Sequence, residues 1–172
     1  MQTKRQYISL LLLWSAASRY YTSYMNTEQT LQITTTSLQA TIELGAVIGR
    51  NLRGGETIAL ASDLGGGKTA LVTGLAQGAG SVAQVSSPSF TLSNQYTAGD
   101  LTIHHFDFYR LDDPGIMVRE LAEVIDYPDA VVVIEWAEIV DSILPTQALR
   151  IRISAKDEDA REFKMNYPID MQ

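Results

Sequence analysis

The sequence predicts an α/β fold: a mixed, mainly parallel central sheet with flanking helices and one β-hairpin. Three observations carry this. An apolar run, Thr57-Ile58-Ala59-Leu60, passes through a glycine-rich turn into a helix-like segment, Ala70 to Ala79. A continuous, mostly β-branched run, Ala130 to Ile134, has the composition of a central strand buried on both faces. Two strand-like runs, Leu92–Tyr96 and Leu101–Phe108, lie either side of Ala98-Gly99-Asp100, the spacing of a hairpin. Strands that alternate with helices, plus an antiparallel pair, predict a sheet with helices on both faces.

The other elements follow in order. Thr36 to Arg53 reads as a helix, with Thr36 and Gln39 matching a capping box. Leu38, Ile42, Ala46 and Val47/Ile48 supply its apolar stripe, and Gly54-Gly55 stop it. Glu56 to Ala61 is a buried strand, and Lys68 to Ala79 a helix closed by Gly80. Val85 to Ser93 is a polar loop containing Pro88. A turn at Asp112-Asp113-Pro114 precedes a short helix, Pro114 to Val124. Ala137 to Leu144 is helical before Pro145, and Leu149–Ser154 and Glu162–Tyr167 pair around a turn at Lys156–Arg161. There is no internal repeat.

Composition bounds the function. A chain of 172 residues, 45% hydrophobic and 19% charged, suits one globular domain, expected over 26–172. Without cysteine, disulfides, thiol chemistry and Cys-based zinc sites are excluded. The formal charge is −7 and uneven: residues 1–25 hold Lys4, Arg5 and Arg19 and no acid, and the rest holds ten Lys/Arg against twenty Asp/Glu. So acidic a body repels a phosphate backbone, which predicts weak or no independent nucleic-acid binding. Lys4-Arg5, the apolar run Ile8 to Trp14 and Ser15-Ala16-Ala17-Ser18 imitate a secretory signal. The run is too short to span a membrane, and no membrane partner is expected. Residues 1–25 are a targeting-like segment or an upstream extension with Met25 as the working start. The extension is favoured, and the segment is set apart from the fold.

The most informative stretch is Ala61-Ser62-Asp63-Leu64-Gly65-Gly66-Gly67-Lys68-Thr69. Strand, glycine loop, Lys-Thr and helix in that order make a triphosphate cradle. Glycines let backbone N–H groups turn toward the phosphates, and the helix N-terminus adds partial positive charge. Lys68 can reach the β/γ-phosphates and the Thr69 hydroxyl can bind Mg²⁺. The expected nucleotide contacts are Asp63, Leu64, Gly65, Gly66, Gly67, Lys68, Thr69 and Ala70. The motif is one residue short of G-x-x-x-x-G-K-[ST], because Ser62 stands where the first glycine belongs. The plainer reading, a glycine-rich turn with a chance Lys-Thr, does not account for the flanking strand and helix.

Hydrolysis needs further oxygen ligands for Mg²⁺ and a group to position water. Two strand-end acids qualify as catalytic and metal-binding residues. Asp107 ends the strand from Leu101, and Glu135 follows Val131-Val132-Val133-Ile134. The plainer roles are a helix N-terminal charge for Glu135, and a solvated or Arg110-paired carboxylate for Asp107. Whether Glu135 is a metal ligand or orients water stays open. The loop from Ser86 to Thr91 is the natural switch, with Phe90 as its anchor; whether Ser89 or Thr91 meets the metal also stays open. His104 and His105 are neighbours on a strand and face opposite ways, which disfavours a metal pair and leaves one packed. Trp136 flanks the site or fills the core.

Together these pieces resemble one family: the TsaE (YjeE) ATPases of tRNA threonylcarbamoyladenosine biosynthesis. The resemblance rests on Asp63 to Thr69, Ser87-Pro88-Ser89-Phe90-Thr91-Leu92, His105-Phe106-Asp107-Phe108-Tyr109-Arg110-Leu111, Glu120-Leu121 and Ile134-Glu135-Trp136-Ala137-Glu138, in that order, and spans about Thr36 to Ile153. It implies a small cytoplasmic P-loop ATPase using ATP and Mg²⁺, slow alone and stimulated by its partners TsaD and TsaB. That complex places a threonylcarbamoyl group on the adenosine beside the anticodon of tRNAs reading codons that begin with A. The ATPase supports turnover and does not transfer the group itself, and tRNA is met through the complex. By the same resemblance, Lys68 and Thr69 serve phosphates and Mg²⁺, and Thr91 with its loop acts as the switch. Asp107 and Glu135 serve Mg²⁺ and catalysis, and Trp136 lies beside the site.

Two departures stand out. If the position of Ser62 needs positive φ, a serine there costs about 1 kcal/mol or more. Residues 1–25 have no counterpart. Ser154-Ala155-Lys156 is similar to a guanine-binding loop, but no Asn-Lys-x-Asp accompanies it, so ATP is favoured. Two alternatives remain: a nucleotide-sensing module that does not hydrolyse, and a small-molecule P-loop kinase. The kinase needs an Arg-rich lid, where the chain offers only the scattered Arg110 and Arg119.

Overall fold

Seven strands form one sheet in the order β1-β7-β6-β2-β5-β4-β3. The computed structural model describes residues 29–109, 111 and 115–167. The expectations for residues 1–25, for Arg110 and for the Asp112-Asp113-Pro114 turn lie outside these. The strands are β1 Gln29–Thr35, β2 Thr57–Ser62, β3 Ser93–Ala98, β4 Leu101–Asp107, β5 Ala130–Glu135, β6 Leu149–Ala155 and β7 Arg161–Tyr167. The helices are α1 Leu38–Gly49, α2 Lys68–Gly78 and α3 Gly115–Val124, with a 3-10 helix at Ala137–Ile143. The four central strands β6, β2, β5 and β4 run parallel, and antiparallel pairs close both edges. The mixed α/β sheet read from the sequence is therefore the fold, with its hairpin at β3–β4.

Two apolar cores sit on opposite faces. α1 and α2 cover one through Leu44, Ile48, Leu71 and Leu75, packed on Ile58, Leu60, Val131, Val133, Ile151 and Phe163. α3 and the 3-10 helix cover part of the other through Leu121 and Val140, against Phe106, Val132 and Ile134. β5 is buried along its whole length, as its unbroken apolar run requires. β6 instead alternates: Leu149, Ile151 and Ile153 point inward, while Arg150, Arg152 and Ser154 are exposed. Among the described residues no helix is long and apolar enough to cross a membrane.

Glycine fixes how α2 is held. A Cβ on Gly74 would lie 1.9 Å from the Ile42 carbonyl oxygen, so only glycine lets the α1 and α2 backbones approach this closely. α2 ends in a Schellman motif: Ser81 N–H donates to Ala76 O and Gly80 N–H to Gln77 O. The expected closure at Gly80 is this motif.

Three local expectations are corrected. Gln29–Thr35 forms an edge strand antiparallel to β7, which the sequence reading left unassigned. The cap of α1 is Ser37, whose Oγ accepts from Ala40 N–H at 3.0 Å, in place of a Thr36–Gln39 box. Of its expected stripe Val47 and Ile48 are buried, Ile42 and Ala46 are half-buried and Leu38 is 68% exposed; Thr41, Leu44 and Gly45 are buried instead. The helix also stops at Gly49, short of Arg53, because the Glu56 carboxylate gathers the N–H groups of Arg53 and Gly54 at 2.7 and 2.8 Å.

Candidate nucleotide site

The site lies at the carboxyl ends of three adjacent parallel strands. β2 ends at Ser62 and delivers the glycine loop, β5 ends at Glu135, and β4 ends at Asp107. Register brings them together: Leu60 stands opposite Glu135, and Glu135 opposite Asp107. Open α/β sheets hold ligands outside such strand ends.

The glycine loop turns through left-handed conformations at Gly65 (φ 73°) and Gly67 (φ 106°). Gly67 caps α2 without any side-chain acceptor, and the first turn holds no acid. That leaves backbone N–H groups and the helix dipole available to an anion. Leu64 is exposed, Gly66 is buried, and Thr69 and Ala70 are half-buried behind the loop. Ser62 is a strand residue outside the left-handed region, so the strain considered for it does not arise. Its hydroxyl donates to Asp63 O at 2.9 Å and accepts from Lys68 Nζ at 3.0 Å. It fills the space beside Gly66, where a Cβ would come 2.6 Å from Ser62 Oγ.

Lys68 is buried and its ammonium is the hub. Besides Ser62 it reaches Asp63 O at 3.5 Å and Glu135 Oε2 at 3.7 Å, and it lies 4.9 Å from the centre of the Trp136 ring. Ring and cation attract through the ring's quadrupole. Tyr109 packs tilted against Trp136, with centroids 4.9 Å apart. Trp136 thus touches Lys68 and also packs on the apolar core that α3 covers in part.

The two carboxylates are buried and differently held. Glu135 Oε1 meets His105 Nε2 at 3.0 Å, and its Oε2 faces Lys68. Asp107 Oδ1 accepts from Tyr109 N–H at 2.9 Å, and Oδ2 accepts a short hydrogen bond from the Ser89 hydroxyl. The non-glycine residues with left-handed backbone, Trp136 and Leu92, adjoin these two acids. Trp136 follows Glu135, and Leu92 O accepts from Asp107 N–H at 3.0 Å. Such conformations are costly for bulky side chains and cluster where function demands them.

In the Ser86–Thr91 loop, Ser89 is the hydroxyl brought to the carboxylates. Thr91 is exposed and donates to Asn94 Oδ1 at 3.0 Å. Phe90 does not anchor the loop: it is fully exposed, and the buried residue is Pro88. Pro88 O accepts from Leu92 N–H at 2.6 Å, a turn that points Phe90 outward.

Sequence reasoning gave no role to two neighbours. His105 is buried against Glu135, and its spacing of two from Asp107 on one strand was the available signal. Arg161 lies beside the glycine loop, its Cγ 3.9 Å from where a Gly67 Cβ would stand. Its Nη1 donates to the carbonyls of Asp157, Glu158 and Ala160. No local pattern links residue 161 to residue 67. His104 faces the other way, as alternation predicted, but it too is buried. Burial holds its pKa below the ordinary imidazole value, with Asp129 and Glu120 pulling it back upward.

Residues 35–163 match the family model described as threonylcarbamoyl adenosine biosynthesis protein TsaE. The tRNA threonylcarbamoyladenosine biosynthesis protein TsaE of a Nostoc species is 34% identical, over 80% of this chain and 86% of the relative. The protein of that name from Treponema pallidum is 39% identical, over 73% of this chain and 93% of the relative. The crystal structure of YdiB from Bacillus subtilis superposes with a TM-score of 0.69 at 28% identity, covering 84% of this chain and 88% of that one.

Proposed function

The chain belongs to the TsaE family, and from that premise we propose that it is a Mg²⁺-dependent P-loop ATPase serving tRNA threonylcarbamoyladenosine biosynthesis with TsaD and TsaB. The observation that carries this reading is the convergence of Lys68, Glu135 and Asp107 at the ends of three neighbouring strands, beside an uncapped helix N-terminus.

ATP phosphates lie along Gly65 to Thr69 and exchange with Ser62 Oγ and Asp63 O as partners of Lys68 Nζ. Trp136 and Tyr109 screen that ammonium from water, which strengthens its hold on the γ-phosphate. Glu135 accepts from and orients the attacking water, and Asp107 accepts from Ser89 and so ties the switch loop to the site. Thr69, Asp107 and Glu135 offer only oxygen donors, which suit a hard cation. Among the described residues no three His, Asp or Glu side chains form a metal cage. Mg²⁺ at nucleotide sites ordinarily completes its shell from phosphates and water. When bound it would neutralise charge developing on the phosphate oxygens. TsaD and TsaB handle the tRNA, consistent with the acidic body.

The test is ATP hydrolysis by the full chain with Mg²⁺, alone and with purified TsaD–TsaB, using Lys68→Ala as the blank. Slow turnover alone that rises with the pair is expected. The contact of Ser62 with Lys68 favours one second reading, a nucleotide-sensing module. ATP binding with no hydrolysis in either mixture would establish that instead.

A further inference from the structure

We infer that His105 is a positioning residue that donates its Nε2–H to Glu135 Oε1 and thereby aims Glu135 Oε2 into the phosphate site. The inference rests on the ATPase reading above for its consequence, though not for its geometry.

His105 is fully buried, with Nε2 3.0 Å from Glu135 Oε1. Among the described residues its Nδ1 has no hydrogen-bond partner. A carboxylate oxygen is an acceptor, so in this contact Nε2 carries the hydrogen and donates it. In that form the ring is a donor to the carboxylate and nothing else. An apolar side chain of similar size would fill the space without an orphaned nitrogen, so packing alone does not explain an imidazole here.

The carboxylate explains it. Glu135 has two oxygens and a buried cation beside it, Lys68. Left to itself it would turn both oxygens to the ammonium and quench the charge that ATP needs. The His105 bond holds Oε1, and Oε2 faces Lys68 at 3.7 Å. The ring is held in turn. Tyr96 lies behind it, with centroids 6.2 Å apart. The Tyr96 hydroxyl donates to Ser86 O at 2.9 Å and accepts from Ser86 N–H at 3.3 Å. His105 thus links Tyr96, tied to Ser86 at the base of the switch loop, to Glu135.

The experiment uses the full chain and three variants. His105→Phe and His105→Leu remove the donor, and two sizes guard against one failing to fold. His105→Gln keeps an N–H at a similar reach. Single-turnover hydrolysis with TsaD–TsaB and affinity for a fluorescent ATP analogue are measured on each folded variant. The donor-free variants are expected to lose about 10–100-fold in rate, as outer-shell partners of catalytic groups do, with far smaller change in affinity. Gln is expected to recover most of the rate. Undiminished rates in Phe or Leu would overturn the inference, as would Gln falling as far as Phe. Imidazole nitrogen NMR of the wild type decides the bond independently of turnover: an Nε2–H signal that shifts in Glu135→Gln is expected, and an Nδ1–H tautomer would overturn it. A wild type that binds ATP without hydrolysing it sinks the ATPase reading and leaves the NMR result to stand on its own.

Discussion

The two halves of the sheet are built on different principles. The outer half, β1–β7–β6, is regular. Its inward residues Ile33, Phe163, Met165, Ile151 and Ile153 are apolar, and its ion pairs Arg150–Asp141, Lys156–Glu162 and Lys164–Glu162 include partly exposed groups. The inner half, β2–β5–β4 with β3 at its edge, holds buried His105, Asp107 and Glu135 at or near its strand ends, with buried Lys68 of α2 beside them and left-handed Trp136 and Leu92 alongside. Buried charges and strained backbone lower stability unless neighbours hold them. If the inner half carries the proposed chemistry and the outer half mainly stability, substitutions in the two separate folding from turnover.

The largest effect expected is on folding. Phe163→Ala empties a fully buried site in the outer half and should cost about 3–5 kcal/mol in urea unfolding. The folded fraction should still bind ATP normally; weakened binding would mean the halves are coupled. Glu135→Gln is the mirror case. It keeps the shape and should leave ATP bound while slowing single-turnover hydrolysis by about 10²–10⁴-fold, the range for loss of a positioned base. Unchanged hydrolysis would remove Glu135 from the chemistry.

Ser62→Gly sharpens the contrast at the border. Removing the hydroxyl that competes for Lys68 should tighten ATP binding by several-fold, the worth of one net hydrogen bond of about 1 kcal/mol. A glycine in strand β2 should also lower stability by about 0.5–1 kcal/mol. Weaker ATP binding in isothermal titration would show that Ser62 positions Lys68 for the nucleotide.

The smallest effect is a slope with pH. Burial depresses the pKa of His104, so the unfolded chain takes up a proton more readily than the folded one. Its contribution is fully present above the ordinary value of 6.5 and is lost as pH falls through the lower folded value. His104→Gln should flatten the decline in stability on the acid side of 6.5, read as denaturation midpoints at stepped pH. Equal slopes in variant and wild type would rule His104 out as the source.

How much was legible differs by scale. The central strands, the glycine loop, the α2 helix and the acids Asp107 and Glu135 were readable because each has a local signature. β1 carried a period-two pattern in Leu31, Ile33 and Thr35, but its partner strand lies far along the chain and its apolar content is thin. The cap of α1 slipped by one residue because Thr36 and Ser37 are both good caps, and only the bond to Ala40 chose between them. Phe90 was misread because a large apolar side chain in a loop is expected to bury, whereas the turn at Pro88 directs it outward.

Local patterns in the chain were enough for the fold class, the order of the central elements and the place of the glycine loop. Those follow from periodicity and from glycines, lysine and acids at strand ends, all local in the chain. Only the tertiary structure decided that Ser62 holds Lys68, that Ser89 rather than Thr91 meets Asp107, and that His105 holds Glu135. The first is a side-chain contact set by the turn of the glycine loop, and the other two join segments far apart in the chain, where sheet register and backbone turns fix the geometry.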